Sequence, residues 1–447
     1  MADASTIDEN KGSQGELNTL DYVFFVIPDI NGIPRGQIIP HEFVKEKMEN
    51  GLYLPFGALF MGPYSEHAED MDMFLTEKNG TWTADPSTLQ VTPWSDHKSR
   101  TTGMVLCDLT GEGVAEGADT RQMVKRLLDK LWNDHSLILK SAFEFEFNVF
   151  KMDDGTPLGS NHERYLDLRS VQPEMDVLLE LHQELQQAGI HITAMAPELG
   201  AGQWELNVEP SEGLTSADLA FHVRNAVKVF FRRRRFEATF MTVPQLGPFN
   251  NLHFNHSLWT ADGQNVMKDD VKDNAISELA LRWNAGLLRH ARALTALCCP
   301  TVNCYRSLEF SDDYSSRADW SVENRDTMTR FKVAKGNVFL ESRLGTGPVS
   351  SYLLIAAHLV AGMSGLEQEV TSPPPRDPTA QLLPASLDEA LHALEKDDVM
   401  KEGLGQRFVS NYVTAKRYCE VKPYAELACD SDEEKLQYER RKFITSF

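Results

Sequence analysis

An α+β protein of two domains is what the sequence predicts, and three observations carry that expectation. At 447 residues the chain is too long for one ordinary core. As far as about Leu109 the signals are mostly those of strands, whereas beyond it helical and extended patterns intermix. Between the two lies a turn-rich link, Thr110-Gly-Glu-Gly-Val-Ala-Glu-Gly117. The expected layout is a disordered polar tail over 1–18, a small sheet domain over 19–115, and a larger mixed-sheet domain over 116–447.

In the small domain, apolar Tyr22 to Pro28 and extended Gly36 to Pro40 flank the turn dipeptide Asn31-Gly32, which predicts a hairpin. Thr120 is a candidate N-cap for a helix over Arg121–Trp132. Leu178, Leu181 and Leu185 mark one helix face ended by Gly189, and Ile190 to Met195 then reads as a strand. Further helices are expected over Thr215–Phe231, Ile276–Leu297, Leu387–Leu394 and Phe408–Tyr418, the last two after a proline-punctuated stretch from Pro373 to Pro384.

A net charge of −22 argues against a nucleic-acid or anionic-membrane surface. The most apolar run, Tyr352 to Met363, is too short to span a bilayer and contains His358. Met1 to Gly15 is polar and acidic and reads as a frayed tail, not a signal peptide. The six cysteines form no CxxC pair and read as buried or free thiols in a reducing compartment. A soluble, cytoplasmic protein is the expectation. Arg232–Arg235 read as salt-bridged or at a subunit contact, and Asp430-Ser-Asp-Glu-Glu434 as a solvated tail.

Chemistry first shows in Ser141-Ala-Phe-Glu-Phe-Glu-Phe-Asn148. Period two places Phe143, Phe145 and Phe147 on one strand face and Glu144 and Glu146 on the other. Two carboxylates roughly 6–7 Å apart on a strand repel unless a cation attends them. Glu198 and Glu205 stand seven residues apart around Gly200 and Gly202, which let the backbone bend. His253 and Asn255 share one face of Asn250-Asn-Leu-His-Phe-Asn-His-Ser257, and Glu341 and Arg343 share a face of Phe339-Leu-Glu-Ser-Arg343. Each feature alone has a plainer reading: solvated acids, a core histidine, a structural ion pair.

In this order the features resemble the glutamine synthetase family. The resemblance spans roughly Leu20 to Tyr418 and includes Ala238-Thr-Phe-Met241, Cys299-Pro-Thr-Val-Asn-Cys-Tyr305, Trp320-Ser-Val-Glu-Asn-Arg325 and Leu383-Pro-Ala-Ser-Leu-Asp-Glu-Ala-Leu391. It implies a small N-terminal β-grasp-like domain and a large catalytic domain with a curved antiparallel sheet and helices. It implies ring-shaped homo-oligomers, decamer or dodecamer, with sites between neighbouring subunits. It further implies two or more Mg2+ or Mn2+ ions per site and ATP as co-substrate. Glu146, Glu198 and Glu205 match the ligands of the metal beside the amino-acid substrate. Glu144, His253 and Glu341 match those of the metal on the nucleotide phosphates. Arg325, Arg330 and Arg343 match phosphate-binding arginines, and Ser257 falls on the nucleotide side. Hard oxygens with one imidazole suit these cations.

The pattern departs from the family on the substrate side. Where the family carries Asp-Gly-Ser-Ser, the chain reads Phe56-Gly-Ala-Leu-Phe60, so Gly57 replaces the ammonium-site aspartate. Gly247-Pro-Phe-Asn-Asn251 replaces the Asn-Gly-Ser-Gly loop, with Asn250 or Asn251 as available substitutes. Ser307 stands where an arginine would pair with the substrate α-carboxylate; Arg306 is adjacent, but a one-residue shift turns it to the opposite face. The flap glutamate is replaced by Asp313, a shorter carboxylate able to serve as base. Metal ligands kept while substrate walls change predict an ATP-dependent carboxylate–amine ligase acting through an acyl phosphate. Its specificity would be shifted from glutamate plus ammonia, γ-glutamyl–amine formation included. The rival expectation is a lengsin-like member of the family, lapsed to a structural or interaction role.

Overall fold

The computed structural model describes residues 19–68, 79–110, 118–159, 165–169, 171–269, 271, 275–307, 316–334, 336–429 and 431–447. The expected tail, most of the turn-rich link and Asp313 lie outside these residues.

Two sheets organise the chain. The first runs β2-β1-β6-β4-β3 and is built from β1 (Tyr22–Pro28), β2 (Pro34–Pro40), β3 (Leu52–Pro55), β4 (Asn79–Ala84), β5 (Gln90–Val91) and β6 (Thr102–Thr110), with β5 on β6. The predicted hairpin is β1–β2, antiparallel from Tyr22↔Pro40 to Pro28↔Pro34. β1 and β6 run parallel, so the sheet is mixed.

The second sheet positions the chemistry. Its path is β15-β16-β17-β12-β7-β9-β8, with β10 and β11 also paired to β7. The members are β7 (Ile138–Lys151), β8 (Ile192–Pro197), β9 (Gln203–Val208), β10 (Ser211–Glu212), β11 (Phe236–Thr239), β12 (Leu252–Trp259), β15 (Trp320–Val322), β16 (Thr329–Ala334) and β17 (Asn337–Ser342); β13 (Lys268–Asp269) and β14 (Ala275–Ile276) form a separate ribbon. One face of β7 is core: Phe143, Phe145 and Phe147 are at most 2% exposed. Their rings lie 5.3–6.2 Å from Phe254, Phe240 and Phe231. Helix Gly213–Arg233 brings Phe231, and the helix Ser351–Glu367, buried from Ser351 to Gly365, brings His358 against Phe254 at 5.1 Å. A one-residue slip of β7 would bury its acids and expose its phenylalanines, so hydrophobic burial pins the register.

The two sheets are joined through buried arginines. Arg121 donates to both carboxylate oxygens of Asp218 at 2.9 Å, to Asp108 at 2.8 Å and to Asp85 at 3.0 Å. Tyr352 adds a hydroxyl to Asp218 at 2.7 Å. Arg224 donates to the carbonyls of Asn31 at 2.7 Å and Val349 at 2.8 Å. Gly32 is required there: its φ is +67°, and a Cβ would fall 2.0 Å from the Arg224 guanidinium.

Three helix expectations are refined. The N-cap of Thr120–His135 is Asp119, not Thr120, because its carboxylate accepts from the backbone of both Arg121 and Gln122. The helix expected over Ile276–Leu297 is two, Glu278–Arg289 and Ala291–Cys298, parted at His290, whose ring is held by Asp397 at 2.7 Å and Ser364 at 2.9 Å. The acidic run is no free tail: Asp432, Glu433 and Glu434 form the first turn of helix Asp432–Phe443, where they complement its dipole. Arg232, Arg234 and Arg235 pair with Glu237, Glu180 and Glu184, and Asp153, as expected of salt-bridged residues. The described cysteines are free thiols. Among the described residues no helix is long and apolar enough to cross a membrane.

Removing Arg121 strands buried carboxylates. Arg121→Met should destabilise the protein by about 3–5 kcal/mol in urea unfolding; a loss under about 1 kcal/mol would show the network dispensable.

Candidate metal and phosphate site

The polar face of the second sheet gathers the acids. Cross-strand register places His253 opposite Glu144, Glu205 opposite Glu146, and Arg330 opposite Glu341. Asn255 lies opposite Glu341 on the other edge of β17. Glu198 enters from the turn between β8 and β9, closed by Glu198 N–H to Gln203 O at 3.0 Å and Gln203 N–H to Gly200 O at 3.0 Å. Gly202 makes that turn possible, with φ +66° and the Val149 carbonyl 2.7 Å from any added Cβ.

Three carboxylates converge on one imidazole. His253 Nδ1 is 3.2 Å from Glu144, 3.7 Å from Glu341 and 3.9 Å from Glu146. His253 and Glu341 are buried, and ligand atoms of Glu144, His253 and Glu341 lie within 4.8 Å of one another. Arg343 and Arg330 ion-pair with the two oxygens of Glu341 at 2.9 and 3.1 Å. Arg330 also reaches Glu323 at 3.0 Å. Ser257 accepts from the Trp259 indole at 2.8 Å. Arg325 is exposed and lies near enough to bear on the Tyr165 hydroxyl.

The electrostatics divide this face. Burial would raise Glu144, but the His253 hydrogen bond and charge, with Lys332, hold it well below the usual carboxylate range. Glu341 is likewise held down, against burial, by His253 and Arg343. On the other side burial raises Glu146. Glu198 is pushed up to about 8, by burial first and then by the charges of Glu146 and Glu205. Like charges directly opposite on an antiparallel pair are unfavourable, which is the situation of Glu146 and Glu205. A divalent cation with oxygen-rich ligation would relieve both groups of acids, and the donor set of carboxylates plus one imidazole fits Mg2+ or Mn2+.

On the substrate side, Gly57 sits in a buried turn, Phe56–Phe60. Arg306 is committed to a buried ion pair with Glu439 at 2.7 Å, and the Ser307 hydroxyl to Cys304 O at 2.7 Å. Asn250 is likewise structural, donating to Met241 O at 2.9 Å and accepting from Gln203 at 3.0 Å. Asn251 differs, since its backbone N–H donates to Glu146 at 3.0 Å. Apolar side chains stand at the edge: Tyr165, Leu166 and Leu199 are about half exposed, and Leu166 N–H reaches Pro197 O at 3.3 Å. Burial and then the charge of Glu198 raise the Tyr165 hydroxyl. Sequence reasoning missed Tyr165 and Lys332. Nothing in sequence distinguishes Tyr165, but Arg330-x-Lys332 carries the period-two signal of a shared face.

The fold and this face define a mixed α+β protein whose large sheet gathers carboxylates, one imidazole and arginines on one side. The model of the glutamine synthetase catalytic domain matches residues 117–435, and the chain belongs to the glutamine synthetase family, as a divergent member. It is 30% identical over 425 residues to glutamine synthetase of Pyrococcus horikoshii, covering 91% of each chain. It is 30% identical to Lengsin of Canis lupus familiaris, covering 96% of this chain and 74% of that protein. Solved structures of GmaS without ligand and with ADP align at TM-scores of 0.83 and 0.82, each at 25% identity over 96% of this chain and 98% of theirs. The fold class expected from sequence is therefore the fold observed.

A pH prediction follows from Glu198. Its carboxyl binds a proton more tightly folded than unfolded, so stability present at low pH is lost as pH rises through about 8. The Tm of metal-free protein should fall from about pH 5 to about pH 8 and level off beyond, Glu198→Gln should flatten the fall, and Mg2+ should restore more at the higher pH. A metal-free Tm that rises over this interval, or a fall unchanged in Glu198→Gln, contradicts the assignment.

Proposed function

We propose that this protein is an ATP-dependent carbon–nitrogen ligase, joining a carboxylate to an amine through an acyl phosphate, with specificity moved away from glutamate plus ammonia. The observation that carries this reading is the convergence of Glu144, Glu146, His253 and Glu341 with Arg330 and Arg343 on one sheet face. Glu144, His253 and Glu341 would hold the cation on the phosphate side, and Glu146, Glu198 and Glu205 the cation beside the acid. Those cations supply neutralisation of phosphoryl charge. ATP is the co-substrate, a reading supported by the similarity to a GmaS solved with ADP.

A substrate carboxylate oxygen attacks the γ-phosphorus, breaking its bond to ADP. Arg325, Arg330 and Arg343 would stabilise the charge in transfer. The amine nitrogen then attacks the acyl carbon, phosphate leaves, and the surplus proton passes to Asp313. Gly57 leaves no carboxylate to select ammonium, and exposed Tyr165, Leu166 and Leu199 beside Glu198 suit an amine with an apolar substituent. γ-Glutamyl–amine formation is the form this takes if the acid is glutamate. Such a protein would be cytoplasmic, without nucleic-acid or membrane partners, and a ring-shaped decamer or dodecamer. Exposed Ile38 and Tyr53 on the first sheet, with Phe43 on the helix His41–Asn50, support contact with a second copy.

The similarity to Lengsin supports the alternative, a lapsed member with a structural or interaction role. Purified protein with Mg2+, ATP and a panel of acids and amines, read by phosphate release and product mass, separates the two. Turnover is expected from wild type, reduced about 100-fold or more in Glu341→Ala. No acid–amine pair raising wild type above that variant would overturn the ligase reading.

A further inference from the structure

Lys332 makes a contact that reaches far across the large sheet. It lies on β16, and its ammonium is 3.3 Å from Glu144 on β7 and 3.0 Å from the Asn255 side-chain oxygen on β12. β17 and β12 separate β16 from β7, so the contact crosses three strand spacings, about 14 Å if flat. The long lysine side chain thereby sets a cation from a strand near the sheet's end over the acid face.

The surrounding bonds make this ammonium a prepared group. Asn255 donates to Glu144 at 2.9 Å and accepts from Lys332, so one amide fixes both partners. Glu144 uses one oxygen for Lys332 and Asn255 and turns the other to His253 at 3.2 Å. Arg330 and Arg343 are anchored on Glu341, whereas Lys332 is 29% exposed and two of its three N–H donors are used. It shares its strand face with Arg330, two residues away.

We propose that Lys332 is a nucleotide-phosphate-binding residue, held by Asn255 and screened by Glu144 until a divalent cation engages that carboxylate. The inference rests on the ligase reading of the site. With Glu144 drawn to the cation, the ammonium keeps Asn255 and turns its freed donor to a phosphate oxygen as a compact point charge. No bond is made or broken in this step.

Calorimetric titration of MgADP and of adenosine into wild type, Lys332→Met and Lys332→Arg tests it. Lys332→Met should weaken MgADP about tenfold or more, leave adenosine within about twofold, and not weaken Mn2+ measured alone. Lys332→Arg should recover most of the MgADP affinity. Amine-modification footprinting of wild type should show Lys332 protected by MgADP and not by adenosine, a readout independent of whether the variants fold. Equal MgADP affinity in wild type and Lys332→Met, parallel loss of ADP and adenosine, or no protection overturns the inference alone. A wild type that binds no MgADP overturns the ligase reading with it.

Discussion

Carboxylates crowded onto one face of a curled sheet are the constraint around which this protein is built. Glu144 and Glu146 on β7 neighbour Glu205 on β9, Glu341 stands on β17 beyond β12, and Glu146 faces Glu205 directly across the ladder. Such an arrangement repels itself. It persists because the opposite face of β7 buries three phenylalanines, whose loss of contact on a register slip would far outweigh relief of the repulsion. Cations then compensate the acids unevenly. His253, Lys332, Arg330 and Arg343 serve Glu144 and Glu341, while Glu146 and Glu198 are left raised by burial.

That asymmetry divides the face electrostatically. The side richer in cations is where polyphosphate charge would be met, and the side poorer in them is where a second metal would have most repulsion to relieve. Around this floor the walls are occupied by structural bonds. Arg306, adjacent to the position where the family pattern expects a substrate arginine, is sealed against Glu439 of the C-terminal helix, and Ser307 folds back on its own backbone. Neither is available to grip an amino-acid carboxylate. Asn251 is tied to Glu146, and Tyr165, Leu166 and Leu199 stand exposed at the edge of this face. The buried Arg121 and Arg224 networks fix the first sheet against this assembly, so Gly57 sits in a turn with no carboxylate to offer.

Much of this was legible in the sequence, for a physical reason. The Phe–Glu alternation of β7, the paired histidine and asparagine of β12 and the Glu-x-Arg at the end of β17 all express period-two geometry, which survives without knowledge of tertiary contacts. The β1–β2 hairpin was marked by Asn31-Gly32. What escaped depended on partners distant in the chain. Asp119 outcompeted Thr120 as a cap by accepting two backbone donors and a third from Leu109. The break at His290 reflects Asp397 and Ser364, and the fate of Arg306 reflects Glu439. Lys332 and Glu144 stand 188 residues apart, so nothing local in the sequence pairs them.

The central claim, that the acid face holds two divalent cations in distinct ligand sets, is tested most directly by anomalous diffraction from crystals grown with Mn2+ and ADP. Two manganese peaks are expected, one among Glu144, His253 and Glu341 and one among Glu146, Glu198 and Glu205. A fully occupied crystal with no manganese on this face, its carboxylates still paired only with Arg330, Arg343 and Lys332, would contradict the account.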